Sequence, residues 1–440
     1  MKLLIVSPSP EHPPRDAFRL FRALSEELSR RGHTIDYYIE PHGESDSKTE
    51  QAGIPPITPD AWQTVRRGMG LLTRISGACR ERQYNFILTA GTLGWALAAM
   101  RRFILPSQTR LLAWHGGHTT LQSHRANWPD GAAASPFATP GTEVSGDHPE
   151  DSHHAPKPSD HAKPQTARTL WLPRQSVHQW LCQQVLTTHD AHFFNTTEAP
   201  LRVLAEHPHV QPKQLLYLPS GVAKVFYHPQ RHPRPENESN DSSYQKQAPR
   251  LLMLGPWASD PQQLADALQR VQQTHPLLKL TIAQAGSQGE ALRAILPAPC
   301  QDTLTVLPSV SEAARIALFQ QHDVYLQPAA LEGGVPLSLL EAMAGSLPVI
   351  AEEAPGLRDV IRHYENGLLI PARDANALEQ SLTHVLERPD LARALGEAAY
   401  DHVSHYATWR QIADIFEDRL FQMLQNRLVG SQSWSEFPDA

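Results

Sequence analysis

Apolar and polar positions recur along this chain with two different periods, and the switches between them outline its elements. Leu3–Val6 is an uninterrupted apolar run, the pattern of a short strand buried on both faces. A polar, Pro-rich loop follows (SPSPEHPPRD). Phe18, Phe21, Leu24 and Leu28 then recur at three- and four-residue spacing among Arg and Glu, which predicts an amphipathic helix. Asp16 is placed to cap its start and Gly32 to stop it. Alternation over Thr34–Glu40 predicts a second strand. A strand–helix–strand opening of this kind begins a parallel, doubly wound sheet. Further short buried strands are expected at Asn85–Leu88, Leu111–Trp114, Ala191–Phe194 and Leu216–Leu218. Helical stretches at Trp95–Phe103 and Trp180–Leu186 lie between them.

Two segments interrupt this rhythm. From about Ser123 to Ala167 the composition shifts to Pro, Ala, Ser, Asp and His, too little apolar surface to offset the entropy of ordering. It is expected to be a disordered insertion. Its histidines, His124, His148, His153, His154 and His161, lack fixed ligand spacing, so no metal site is expected there. Residues 230–249, rich in Pro, Asn, Ser and Glu, have the composition of an interdomain linker. After them the α/β alternation restarts: RLLMLG, LKLTIAQAG, LTVLPSV and DVYLQPA as strands, separated by three helical segments.

The expected organisation is an N-terminal Rossmann-like domain over 1–229, a linker over 230–249 and a second Rossmann-like domain over 250–405. A helix over 406–428 and a tail over 429–440 complete it. Ile412, Ile415, Phe416, Leu420, Phe421 and Leu424 form one stripe of that helix. Asp414, Glu417 and Asp418 dilute its basic charge, which favours protein packing over membrane insertion. Two doubly wound domains in tandem place the carboxyl ends of their strands, where ligands collect, around a shared cleft.

Bulk properties narrow the function classes. With 39 Lys+Arg against 46 Asp+Glu, a broad basic surface for nucleic acid is not expected. The three cysteines, Cys79, Cys182 and Cys300, are scattered and read as reduced thiols. The N-terminal apolar run is too short for a signal peptide, and no segment reaches the length of a membrane span. A cytoplasmic protein is expected.

Candidate chemistry concentrates in EGGVPLSLLEAMAGSLPVIA, Glu332–Ala351. It follows the strand DVYLQPA and so occupies a strand-to-helix connection at the carboxyl edge of a sheet. Gly333 and Gly334 allow close backbone approach to a ligand, and Pro336 suits the first turn of a helix. The N-terminus of that helix suits a phosphate. Glu341 suits the paired hydroxyls of a ribose, and Glu332 those of a sugar. The same pattern also makes a tight connection with a capping glutamate and a small-residue helix built for close packing. In the first half, His115 and His118 of AWHGGH follow a buried strand, with His115 nearer its end.

The order of strand, EG-rich loop, LLEAMA helix and PVIA strand resembles the retaining glycosyltransferases of family four. So does Gly356–Ala399, with its NGLLIP strand and its ALEQ and ALGEAA helices. LLYLPSGV (Leu215–Val222) is similar to the family's interdomain junction, where Gly221 would be structural. LLAWHGGH is similar to its N-domain strand ending in histidine. The resemblance implies a GT-B fold: two facing Rossmann-like domains, with the C-terminal helix crossing back to the first. It implies transfer of a hexose from a nucleotide-diphosphate sugar, UDP- or GDP-linked, to a hydroxyl with retention, in polysaccharide, lipopolysaccharide or glycolipid synthesis. Glu332 and His115 would serve catalysis, and Gly333, Gly334, Val335, Leu337 and Glu341 would bind the donor. Neither cofactor nor metal is implied. The acceptor would be a sugar or lipid-linked acceptor, which leaves open peripheral contact with the inner face of a membrane.

The sequence departs from that family at three points, the first being that its N-terminal loop, SPSPEHPPRD, lacks the family's Gly-Gly. Glu332 and Glu341 are nine positions apart where eight is usual. The Arg and Lys that neutralise the donor diphosphate after the first C-domain strand are absent from GPWASDPQ, Gly255–Gln262. Losing two charge-assisted contacts weakens donor binding by about 1.5–3 kcal/mol each. Either another cation substitutes, with Lys279, Arg293 and Arg358 as candidates, or the protein is a degenerate GT-B that binds a partner or sugar nucleotide without turnover.

Overall fold

The computed structural model describes residues 1–7, 15–39, 72–90, 105–116, 185–228, 248–255, 261–284, 293–296, 298–328 and 334–425, together with 97, 101 and 183. The expected insertion, the interdomain linker apart from its last two residues, and the tail lie outside these residues, as does His118.

Two six-stranded parallel sheets organise the chain. The first comprises β1 (Lys2–Ser7), β2 (Thr34–Ile39), β3 (Phe86–Ala90), β4 (Arg110–Gly116), β5 (Ala191–Phe194) and β6 (Leu215–Tyr217), in spatial order β2-β1-β3-β4-β5-β6. The second comprises β7 (Arg250–Leu254), β8 (Lys279–Ala283), β9 (Leu304–Leu307), β10 (Val324–Gln327), β11 (Val349–Glu352) and β12 (Leu368–Ile370), in order β12-β11-β10-β7-β8-β9. In each sheet the order reverses at one point, between β1 and β3 and between β7 and β10. A crevice outside the carboxyl ends of the strands forms there. All five residues of β3 and all four of β5, β10 and β11 are buried, as fully covered parallel strands require.

Helix α1 (Arg15–Arg30) packs Leu20, Phe21, Leu24 and Leu28 on the first sheet. Its backbone turns helical at Arg15, so Asp16 stands inside the first turn and not at the cap. The C-terminus is as expected: Gly32 N–H donates to Ser29 O (3.0 Å) and His33 N–H to Leu28 O (3.2 Å), the two bonds of a Schellman stop. Helix α2 (Glu198–Glu206) follows β5. In the second half, α3 (Pro261–Thr274), α4 (Glu312–Gln321), α5 (Leu337–Ala344) and α6 (Ala375–Glu387) cover the sheet. Helix α7 (Pro389–Tyr406) then leads into α8 (Trp409–Leu424).

Helix α8 belongs to the first domain's core. Ile412, Ala413, Phe416, Leu420 and Met423 join Phe21, Trp114 and Phe193 in one buried cluster. Phe193 and Phe416 stand 5.1 Å apart between ring centroids. Arg31 and His33 both reach Glu417, at 3.0 and 2.7 Å. The chain thus crosses between domains twice, and the crossings touch. Val222 N–H donates to Ala407 O (2.7 Å), and a Cβ at Gly221 would sit 2.7 Å from the Trp409 ring. Gly221 is required by that close approach. Among the described residues, no helix is long and apolar enough to cross a membrane.

Candidate functional site

The carboxyl edges of the two sheets meet through three consecutive residues after β5. Asn195 Nδ2 donates to Val335 O at 3.5 Å. Thr196 presses on Gly356, where an added Cβ would lie 2.3 Å from Thr196 Cγ2 and where φ is +84°. Thr197 donates to Asp359 from its backbone N–H (2.8 Å) and its hydroxyl (2.6 Å). Burial, chiefly, pushes the Asp359 carboxyl above its ordinary range despite those two bonds. Asparagine and two threonines are small enough to let the domains close, and Thr197 satisfies the carboxylate it buries.

On the second domain's side, Pro336 is extended (φ −64°, ψ 135°) and caps α5, just outside the first turn where it was expected. Glu332 and Gly333 lie outside the described residues. Gly334 has φ +116°, and its N–H points to Pro355 O at 3.4 Å, so that amide is engaged within the protein. The Val335 and Leu337 side chains are buried, which leaves their backbone as the part able to meet a ligand.

Glu341 sits inside α5, 2% exposed, facing two arginines. Arg19 of α1 reaches Oε1 across the domain boundary, and Arg315 of α4 places Nε 3.1 Å from Oε2. The Arg315 contact is ionic rather than a directed hydrogen bond. Arg315 is itself buried and lies over the Phe226 ring, 5.3 Å from its centroid. Neither arginine was singled out from sequence, because only the packing of α1 and α4 brings them to Glu341. Of the cations that were, Lys279 opens β8 at the amino edge of the sheet, away from the site, since parallel strands share one carboxyl edge. Arg358 is largely exposed and paired with Glu353. Arg293 is half-buried, in the segment that follows β8.

On the first domain's side, His115 is the next-to-last residue of β4, where the β4–β5 register shifts between Trp114 and Gly116. A bulge of this kind re-aims one side chain. The imidazole stacks on Phe194, 5.0 Å between centroids at 16°, and its Nε2 lies 2.9 Å from His192 Nδ1. His192 Nε2 is in turn 3.2 Å from Leu186 O, and His189 Nδ1 is 2.9 Å from Val185 O. Burial, with neighbouring imidazoles second, holds the His115 pKa well below its ordinary value and lowers His189 and His192 to about 3. All three rings are neutral near pH 7. His192 was not anticipated. The alternation of AHFF puts it on the same face as Phe194, but the pairing that sets it beside His115 is not legible in the sequence.

Comparison with known proteins agrees with this architecture. Residues 237–402 match the family model described as glycosyl transferases group 1. A phosphatidyl-myo-inositol mannosyltransferase of Mycobacterium leprae is 31% identical over 150 residues, 34% of this chain and 39% of that protein. The matches span 14–39% of the length of the first curated relatives. Over nearly the whole chain the fold is shared with solved structures. Sucrose-phosphate synthase from Thermosynechococcus elongatus aligns with a TM-score of 0.65 at 17% identity, covering 96% of this chain and 100% of that one. HepE of Anabaena, solved in complex with UDP-glucose, aligns with a TM-score of 0.61 at 11% identity, over 96% of this chain and 100% of that one. The chain therefore has the GT-B fold, and its residues 237–402 are similar to the glycosyl transferases group 1.

Proposed function

We propose that this protein transfers a hexosyl group from a nucleotide-diphosphate sugar to a hydroxyl acceptor with retention of configuration, in the synthesis of a surface polysaccharide or glycolipid. The observation that carries the reading is the placement of the α5 N-terminus against Asn195, beyond β5, on the domain edge that also bears His115. A donor seated between them has its diphosphate at the free N–H groups and dipole of α5, which favour negative charge. Its sugar extends toward β4 and His115, with Glu332 in the preceding connection. The base is uridine or guanosine. With no protein nucleophile required, catalysis is positioning plus stabilisation of the departing diphosphate. Arg315 supplies a buried positive charge beside α5, in a place different from the family's Arg and Lys. The acceptor is a sugar or a lipid-linked sugar, and membrane contact, if the acceptor is lipid-linked, is peripheral.

Calorimetry against UDP, GDP, ADP and their hexose conjugates tests this reading. Saturable binding of one nucleotide, weakened at least tenfold in Glu341→Gln, is expected. No binding at millimolar ligand by a folded sample defeats it.

A second reading, a degenerate GT-B that binds a sugar nucleotide or partner without turnover, has specific observations in its favour. Glu341 is already engaged by Arg19 and Arg315, and the Gly334 amide by Pro355. Nucleotide binding with neither donor hydrolysis nor transfer would select it.

A further inference from the structure

Asn195 carries a polar atom that the surrounding protein leaves unmet. It is the first residue after β5, 8% exposed, at the carboxyl edge where the first sheet meets the second domain. Its amide nitrogen reaches Ser220 Oγ at 3.3 Å and Val335 O at 3.5 Å. A backbone carbonyl only accepts, so the NH2 end of the amide is the one that faces Val335. The Ser220 hydroxyl sits at that same end. The other end, Oδ1, is buried and has no hydrogen-bond partner among the described residues. A buried carbonyl with no hydrogen-bond donor opposite it is a net cost, and native proteins keep few of them.

The neighbouring chemistry says what the missing group is. Val335 lies two residues before Leu337, the first residue of α5, so Asn195 stands beside a helix N-terminus that draws negative charge. The two features select opposite groups. Free N–H groups take a phosphate oxygen, whereas a carbonyl oxygen repels it and takes a hydroxyl. A ligand with an anion bonded directly to a polyol satisfies both.

We propose that Asn195 is a specificity-determining residue of the cleft, whose Oδ1 accepts from a hydroxyl of the transferred hexose. The NH2 end, held by Ser220 in the crossing and by Val335 in the second domain, fixes the direction of that acceptor once the domains are closed. The assignment rests on the function proposed above, in which the diphosphate lies at α5. The hexose is bonded to that diphosphate, so its hydroxyls are the hydrogen-bond donors brought to this edge, while the ribose on the other side meets Glu341. A site built to bond a hydroxyl rejects the analogue that lacks it.

The test compares, on the full chain, the UDP- or GDP-hexose that calorimetry selects with its monodeoxy analogues, each lacking one hydroxyl of the hexose. In the unmodified protein the loss of one particular hydroxyl is expected to weaken binding at least tenfold. In Asn195→Ala the same analogue and its parent are expected to bind within twofold of each other. Equal binding of the parent and every analogue by the unmodified protein overturns the proposal, and that measurement needs no variant to fold. A penalty that persists undiminished in folded Asn195→Ala overturns it as well. A crystal structure of the unmodified protein with the same nucleotide hexose is the second readout. A hexose hydroxyl within hydrogen-bond distance of Oδ1 is expected, and a water that holds Oδ1 with the sugar bound sinks the assignment. Failure of every nucleotide hexose to bind a folded sample removes the proposed function and this assignment together. Saturable binding without a hydroxyl penalty removes the assignment alone.

Discussion

The two domains carry sheets of the same size, yet they build their edges of the cleft by different means. In the second domain the pieces are local: a buried strand, β10, a Gly/Pro connection and the short helix α5, all within Val324–Ala344. In the first domain the pieces come from separated segments: His115 at the end of β4, His192 and Asn195–Thr197 on and after β5, and Arg19 on α1. The first domain's core is completed only by α8, some two hundred residues beyond β6 in the chain. A site made from one strand–helix connection survives as a readable motif. A site assembled from strand pairing and helix docking leaves no such trace.

That contrast is open to experiment, and acid is the strongest lever. The folded pKa values of His115, His189 and His192 lie below the roughly 6.5 of a free histidine, so between those values the unfolded chain binds more protons. Stability is therefore full above about pH 6.5 and falls as pH drops toward the folded values, which for His189 and His192 lie near 3. Hydrogen exchange at pH 5 should show β4 and β5 losing protection before β7 and β10. The reverse order would break the comparison.

Phe416→Ala sharpens it from another side. This ring is fully buried against Phe193, and its loss is expected to remove about 3–5 kcal/mol. Although the substitution lies near the C-terminus, calorimetry and exchange should place the damage in the first domain. Damage confined to the second domain would show that α8 does not belong where it packs.

Asp359→Ala addresses the seam. It removes two hydrogen bonds from Thr197 to a charged carboxylate, roughly 1.5–3 kcal/mol each and partly offset by release of the carboxylate's burial cost, and small-angle scattering should report a more open pair of domains. An unchanged scattering profile would assign closure to the remaining contacts, Asn195 with Val335, Thr196 with Gly356 and Gly221 with Trp409.

The smallest effect is Arg19→Ala. Arg19 itself is partly exposed, and Arg315 stays paired with the buried Glu341, so the loss of stability should be about 1 kcal/mol. If a nucleotide ribose takes Glu341, removal of Arg19 is expected to tighten nucleotide binding measurably in calorimetry. Weaker binding would instead make Arg19 a ligand contact.

The misreadings have identifiable physical causes. Asp16 has the chemistry of a cap, but α1 begins one residue earlier, and end positions are decided by neighbouring backbone as much as by side-chain preference. Lys279 was a candidate cation, yet it starts its strand and so stands at the edge opposite the ligand crevice. Arg315 was not singled out in the sequence. Its burial follows from the acid opposite it, and opposite charges can enter a core only together.

What the sequence by itself determined was the content of each domain. Periodicity, caps and breakers act over a few residues, so the strands, the helices, the Gly32 stop, the α5 connection and the α/β class could be read from neighbours alone. Tertiary structure decided which of those elements touch. Strand order set His192 beside His115, the return of α8 closed the first core, and domain closure placed Arg19 on Glu341 and Thr197 on Asp359. These contacts join residues between 77 and 322 positions apart, a separation at which no local pattern specifies a partner and only the burial of shared surface does.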